Sequence, residues 1–101
     1  AAQNNLGMLY LRGEGVPQDH ARAAEWFARA ARQGAAEAAY NLAALYEYGR
    51  GVEPSHVRAV ELFKQAALQG HVAAAEWLFK NGYTAWVERI RAERGERASV
   101  Q

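Results

Sequence analysis

The sequence contains no cysteine, which excludes a disulfide framework and a thiolate metal site. It has only one isoleucine and one threonine, two of the residue types that favour β-strands. Alanine, by contrast, supplies 23 of the 101 residues, and apolar residues make up 50% of the chain. Because alanine is the strongest helix former, this composition predicts a helical protein with a core.

The chain also lacks long apolar runs and any strong excess of one charge. No stretch approaches the roughly 18 consecutive apolar residues that a membrane span needs, so direct membrane insertion is not expected. Twelve Lys and Arg residues face eleven Asp and Glu residues, for a net charge of +1. This near balance argues against nucleic acid or an anionic membrane as a partner.

The start of the chain resembles neither a signal peptide nor a translation start. Residues 1–5 carry no basic segment and no apolar segment, and no initiator Met is present. The sequence is therefore expected to be a fragment of a longer protein. Arginine outnumbers lysine ten to two, which fits a GC-rich bacterial genome. For a bacterial protein, the cytoplasm and the periplasm both stay open as compartments.

The chain repeats itself with a period of 36 residues. Residues 1–36 align without gaps on residues 37–72 with 17 identical positions. A fixed period of this length is typical of helical repeat arrays, in which each unit stacks on the next. The identical pairs include Asn5/Asn41, Leu6/Leu42, Leu9/Leu45, Tyr10/Tyr46, Gly13/Gly49, Gly15/Gly51, Ala23/Ala59, Phe27/Phe63 and Gly34/Gly70.

Each unit is predicted to form two helices joined by a turn. In the second helix, Ala23, Trp26 and Phe27 follow the i, i+3, i+4 spacing of one helical face. Asp19 is a suitable N-cap, and Gly34 can adopt the left-handed conformation that ends a helix. The second-unit counterparts of Asp19, Ala23, Trp26, Phe27 and Gly34 are Ser55, Ala59, Leu62, Phe63 and Gly70. The first helix of each unit has an apolar stripe of its own.

These units divide the single repeat domain into four parts. The first repeat covers residues 1–34, and the second covers residues 35–70. A partial repeat with a capping helix follows at residues 71–94, and residues 95–101 are expected to form a frayed tail.

The third unit departs from the pattern after its first helix, which is predicted over residues 72–81. Asn81 and Gly82 end that helix, and no Gly-x-Gly-Val loop follows. Thr84 is expected to cap a last helix that buries Trp86, Val87 and Ile90 and runs to about Arg94. Its charged outer face is typical of the polar cap that ends a repeat array.

The motif of residues 5–19, with the Trp26-Phe27 and Ala30-Ala31 pairs and Gly34 behind it, resembles the Sel-one-like repeat family. This family is a relative of the tetratricopeptide repeats, and the resemblance extends to about residue 80. It implies an all-α fold, a right-handed α-α superhelix of antiparallel helix hairpins that acts as a protein-binding adaptor or scaffold. It also implies no enzyme activity and no cofactor. The family's β-lactam-associated branch is rich in cysteine, which this chain lacks.

Stacked hairpins are expected to place the first helices on the concave side, where a peptide or partner protein would bind. Inward-facing positions there mix aromatic, amide and charged groups, which suit contact with a peptide. In related tetratricopeptide grooves, an Asn at the position of Asn5 and Asn41 contacts bound peptide. The predicted groove residues are Asn4, Asn5, Met8, Leu11, Arg12, Tyr40, Asn41, Ala44, Glu47, Tyr48, Glu76, Trp77 and Lys80.

Several alternatives stay open. Tyr40 and Tyr48 could be ordinary solvent-facing aromatics, and Met8 and Leu11 could be exposed only because a preceding repeat has been cut away. Asn5 and Asn41 could instead bond neighbouring backbone and lock the stack. The whole segment could be the structural end of a longer scaffold, with no binding site of its own. Finally, Leu6, Met8 and Leu11 could form an apolar end face through which copies of the chain associate into a homo-oligomer.

Other patterns receive structural interpretations. The Gly-x-Gly motifs join helices and follow no strand, so they are not read as phosphate loops. His20 and His56 are expected to be solvated without a nearby carboxylate, and His71 to be isolated at a turn, so no zinc site is predicted. Glu25 and Glu61 are expected to pair with arginines on the same helix surface. No nucleophile, base and acid are expected to meet in a catalytic triad.

Overall fold

The computed structural model describes residues 2–95, and within that range the chain forms six helices and no strand. The predicted all-α helical repeat solenoid is confirmed. Of the predicted tail at residues 95–101, all but Gly95 lies outside the described residues. The helices are α1 (Ala2–Arg12), α2 (His20–Arg32), α3 (Ala36–Tyr48), α4 (His56–Leu68), α5 (Val72–Lys80) and α6 (Thr84–Glu93).

The second helix of each complete repeat begins at the predicted cap. Asp19 has an extended backbone, and its carboxylate accepts the N–H of Arg22 at 3.1 Å. Ser55 has the same conformation, and its hydroxyl accepts the N–H of Arg58 at 3.1 Å. Each bond satisfies a backbone donor that the first turn of a helix leaves unpaired. The left-handed glycines that follow these helices are Gly34 and Gly70, both at φ +91°.

The core consists mainly of alanine. Ten of the seventeen buried apolar residues in the described part of the chain are alanines. Small side chains let helix axes approach each other closely. Each unit contributes one of the three largest fully buried side chains, and these fill the space that the alanines leave. They are Phe27, Phe63 and Leu78.

The helices lie in two layers. Each helix packs mainly against its neighbours in sequence, and the described part is elongated, at 51 × 25 × 19 Å. Asn41 in α3 reaches Asn4 in α1, and Gln65 in α4 donates to the carbonyl of Ala31 in α2 at 3.1 Å. Ring contacts link the next helices: Tyr40 in α3 stacks on His71, the N-cap of α5, and Lys64 in α4 lies over the ring of Trp86 in α6. We call α1, α3 and α5 the first-helix layer and the other three helices the second-helix layer.

The third unit differs in the loop before α6. Residues 81–83 join α5 to α6, whereas seven residues join the helices of each complete repeat. The prediction that Thr84 caps α6 is wrong. Thr84 is the first helical residue, and its hydroxyl donates to the carbonyl of Phe79 at 3.2 Å. Tyr83 is the N-cap, and its side chain makes no capping hydrogen bond. The backbone of Tyr83, at φ −104° and ψ 30°, is not extended as at Asp19 and Ser55.

Candidate protein-binding groove

A shallow cleft lies between the C-terminal ends of α1 and α3. Its volume of about 230 Å³ has room for a side chain of a partner, but not for a whole helix. The chain contributes residues from α1, from α3 and from the loop that follows α3. We call this site the groove cleft, and its lining consists of Leu11, Asn41, Ala44, Leu45, Tyr48 and Arg50. Four of the six were predicted as groove residues: Leu11, Asn41, Ala44 and Tyr48.

Tyr48 is the most prominent side chain of the groove cleft. Its exposed fraction is 69%, whereas Leu45 in the floor is only 4% exposed. The guanidinium of Arg50 lies 5.9 Å from the centre of the Tyr48 ring. Among the described residues that line the cleft, Arg50 is also the only charged one. The site therefore combines an exposed aromatic ring, an apolar floor and one positive charge.

Asn41 joins α1 to α3. Its side-chain amide donates to the Oδ1 of Asn4 at 3.3 Å and lies 3.6 Å from the sulfur of Met8. Both partners are side chains of the preceding repeat, whereas the structural alternative predicted that Asn41 would bond to neighbouring backbone. The equivalent Asn5 is exposed. Part of the hydrogen-bonding capacity of Asn41 is thus used within the repeat stack.

Two predicted aromatic groove residues pack inside the repeat stack. The Tyr40 ring meets Phe63 edge-on with ring centres 5.6 Å apart and stacks on His71 at 4.6 Å. The Trp77 ring stacks on Phe63 at 3.9 Å with an interplanar angle of 15°. Both residues are half-buried. Their rings connect α3, α4 and α5, so substitution of either would disturb packing as well as any binding surface.

Two histidines have carboxylate partners that sequence reasoning missed. The Nδ1 of His56 lies 2.9 Å from the Oε1 of Glu47, so the expectation of no nearby carboxylate is wrong there. His71 is likewise not isolated, because its Nε2 lies 2.9 Å from the Oε1 of Glu37. Its Nδ1 accepts the N–H of Ala74 at 3.2 Å and so caps α5. Glu37 and His71 lie 34 residues apart in the sequence, close to one repeat period. The repeat period was therefore the feature of the sequence that could have indicated this contact.

The remaining predicted groove residues occupy the margins of the first-helix layer. Glu76 and Lys80 line a shallow depression between α5 and α6 together with Phe79 and Arg91. Leu6 is half-buried, like Met8 and Leu11. Self-association through these three residues stays a prediction. The exposed members of the groove set outside the groove cleft are Asn5, Arg12, Glu76 and Lys80.

Two arginines of the second-helix layer, Arg22 and Arg58, contact tyrosines. The predicted ion pairs of Glu25 and Glu61 with arginines of the same helix are wrong: they are absent from the ion pairs found in residues 2–95. A cation over an aromatic face gains electrostatic attraction without fixing two long charged chains in one geometry. The equivalent pairs are Arg22 over Tyr10 at 5.9 Å and Arg58 over Tyr46 at 5.8 Å.

Two kinds of site have no counterpart in the described residues. No group of three or more His, Asp or Glu side chains lies close enough together there to hold a metal ion. None of the six helices combines the length and the apolar character that crossing a membrane requires.

The fold and its periodic sequence define a helical repeat solenoid. The Sel1 repeat model matches residues 1–34 and 36–71, which is more than half of the chain, so the chain belongs to the Sel1 repeat family. Members of this family are protein-interaction modules and generally serve as non-catalytic scaffolds. Comparison with curated proteins gives no match.

Two solved structures resemble the chain closely. A Sel1 repeat protein from Oxalobacter formigenes is 39% identical with a TM-score of 0.76, over 80% of this chain and 35% of that chain. The protein c5321 is a protective antigen of uropathogenic Escherichia coli strains with an SLR fold. It is 33% identical with a TM-score of 0.77, over 93% of this chain and 22% of its own. The chain thus spans only a minor part of either relative.

Proposed function

We propose that this chain binds an extended peptide segment of a partner protein along the first-helix layer, with the groove cleft as the anchoring point. The observation that carries the proposal is the exposure of Tyr48 above the buried Leu45. Aromatic side chains of this kind dominate the energetics of protein interfaces, since they bury a large area at a small entropic cost. An apolar side chain of the partner would contact the Leu45 floor and the Tyr48 ring.

The polar groups at the groove cleft suit the backbone of such a segment. The side-chain oxygen of Asn41 can accept an N–H of the peptide while its amide remains bonded to Asn4. The guanidinium of Arg50 can donate to a peptide carbonyl at the edge of the cleft. These interactions would orient the peptide, and the apolar anchor would supply most of the binding free energy.

Site-specific photo-cross-linking in the intact parent protein tests this proposal. A photoreactive phenylalanine analogue replaces Tyr48 in one variant and Val57 in the other. Val57 is a matched control, because it is 68% exposed and lies on α4, in the second-helix layer. We expect a discrete adduct from position 48 and none from position 57, and the peptide of the partner is then identified by mass spectrometry.

The same experiment has outcomes that contradict the proposal. Identical adducts from both positions would indicate non-specific contact, and an adduct from position 57 alone would move the binding surface to the second-helix layer. Tyr48→Ala should weaken binding of the identified peptide about tenfold or more, which corresponds to an interface hot spot. Circular dichroism should stay unchanged, because Tyr48 lies outside the core.

A second candidate function is that of a spacer within a longer scaffold. Its support is that Asn41, Tyr40 and Trp77 form contacts between helices of the stack. The chain also covers only 35% and 22% of its two solved relatives. This function predicts that Tyr48→Ala leaves partner binding by the parent protein intact, whereas deletion of residues 35–70, which shortens the array by one repeat, abolishes it.

A further inference from the structure

A second cleft lies in the third unit, where α6 packs beside the end of α4 and the start of α5. We call it the end cleft. Its volume is about 190 Å³, and it is distinct from the groove cleft, since the two share no lining residue. Apolar side chains contribute six of the ten described residues that line it. They include Ala67, Val72, Ala75, Trp86 and Ile90.

Comparison with the preceding repeat shows how the end cleft arises. One period earlier, Ala31 is 5% exposed and Ala39 is 0% exposed, and Gln65 of α4 donates to the Ala31 carbonyl. The equivalent residues of the end cleft, Ala67 and Ala75, are only half-buried. The helix that closes the third unit has ten residues, whereas α4 has thirteen, and its loop has three residues instead of seven. The shorter helix and loop leave an apolar surface partly uncovered.

The charged groups of the end cleft are basic. Arg91 of α6 and Arg94, the C-cap residue that directly follows this helix, line the cleft. His71 also lines it, but both of its ring nitrogens already have partners, Glu37 and the N–H of Ala74. Among residues 2–95, no carboxylate lines the cleft. Its complement is therefore a group that carries an apolar body and a negative charge side by side.

We propose that the end cleft binds the C-terminal residue of a peptide. The apolar side chain of that residue packs against Trp86 and Ile90, and its terminal carboxylate accepts hydrogen bonds from Arg91. A guanidinium binds a carboxylate through two parallel N–H donors. A terminal apolar residue carries the side chain and the charge on one carbon atom, which matches a cleft too small for two large side chains. This site is separate from the groove cleft and does not depend on the proposed function.

Titration with a defined peptide pair tests the assignment. The probes are acetyl-Gly-Gly-Leu with a free carboxylate and the same tripeptide with an amidated C-terminus, added to the full chain labelled with nitrogen-15. The readout is the indole N–H resonance of Trp86, which the variant Trp86→Phe identifies. We expect a saturable shift with the carboxylate peptide and an affinity for the amidated peptide that is about tenfold lower, because the charge-assisted hydrogen bonds are lost.

Two variants on α6 make the test specific. Arg91→Gln should remove the preference for the carboxylate peptide, whereas Arg89→Gln should retain it, because Arg89 is exposed on the same helix but does not line the cleft. Both variants lose one positive charge, so a non-specific electrostatic effect would appear in both. Circular dichroism confirms that each variant folds.

Several results would overturn the proposal. Equal binding of the two peptides would remove the role of the carboxylate, and equal behaviour of the two arginine variants would remove the role of Arg91. Octanoate that binds as tightly as the carboxylate peptide would show a site for a general apolar anion instead of a peptide terminus. Absence of a saturable shift at Trp86 up to the solubility limit of the peptide would exclude the site.

Discussion

At the residue scale, the joint between the two complete repeats depends on Gly51. Both Gly51 and its equivalent Gly15 have positive φ, at +75° and +79°. A Cβ atom at Gly51 would overlap the backbone of His20 and Ala21 at the start of α2, whereas a Cβ atom at Gly15 would meet nothing within 4 Å. Gly51 therefore serves both the turn of its own repeat and close contact with the preceding repeat.

This difference makes Gly51→Ala and Gly15→Ala a matched pair. Each substitution should cost about 1–2 kcal/mol from the left-handed backbone conformation. Gly51→Ala should cost about a further 1–3 kcal/mol, because the added methyl group forces α2 and the loop apart. Urea unfolding of the two variants measures the difference. Equal losses of stability would show that the joint adapts to the methyl group without strain.

The sequence predicts the turn role of these glycines but not the joint. The Gly-x-Gly spacing identifies a sharp turn within one repeat, because backbone conformation is a local property. The approach of Gly51 to His20 depends on how two repeats stack, which the pattern of a single unit does not contain. In the same way, Tyr48 and Leu11 were predicted as groove residues from helix geometry. Arg50 was missed, because it lies in the loop beyond the helical pattern.

At the element scale, α4 is stabilised by its Ser55 cap. Ser55→Ala removes the acceptor for the N–H of Arg58 and should lower the free energy of unfolding by about 1 kcal/mol. Ser55→Asp is the control, because Asp19 caps α2 through the same geometry in this chain. Thermal unfolding should show a loss for the alanine variant and retention for the aspartate variant. A loss of the same size in both variants would contradict a capping role.

His71 connects the start of α5 to α3. Its ring caps α5, bonds Glu37 and stacks on Tyr40. His71→Ala removes all three contacts, and we expect it to destabilise the chain by about 1–2 kcal/mol. His71→Asn should recover part of this loss, since asparagine is a good N-cap but cannot reach Glu37 or stack on Tyr40. Urea unfolding ranks the variants, and an asparagine variant as unstable as the alanine variant would contradict the capping contribution.

The predicted elements succeeded where the determinants are local. The caps Asp19 and Ser55, the terminal glycines and the helices of both complete repeats follow from residues within one turn of each boundary. The prediction failed at Thr84, where the three-residue loop positions the chain differently. It also failed at His56 and His71, since their carboxylate partners come from another helix and only the stacking of the helices brings them together.

At the scale of the whole molecule, the chain is a linear array whose ends have fewer buried residues than its middle. The helices α2 and α3 each have five buried residues in the described part of the chain, and α4 has four. By contrast, α1 and α6 each have one, Gly7 and Val87 respectively. In an array that is stabilised by contacts between neighbouring units, the local free energy of opening follows this distribution.

Native-state hydrogen exchange should therefore show a gradient along the array. We expect the amides of α2 to α4 to exchange most slowly and those of α6 to exchange faster, because opening of α6 exposes little apolar surface. Val87→Ala enlarges this difference: it should accelerate exchange in α6 and α5 and leave α2 unchanged, since α2 is not a neighbour of α6. Uniform acceleration in all helices would contradict a linear array and indicate that the chain unfolds as one cooperative unit.

The same gradient bears on the end cleft. A peptide terminus that contacts Trp86 and Arg91 should slow exchange in α6 before any other helix, because a ligand stabilises the element that must be closed for binding.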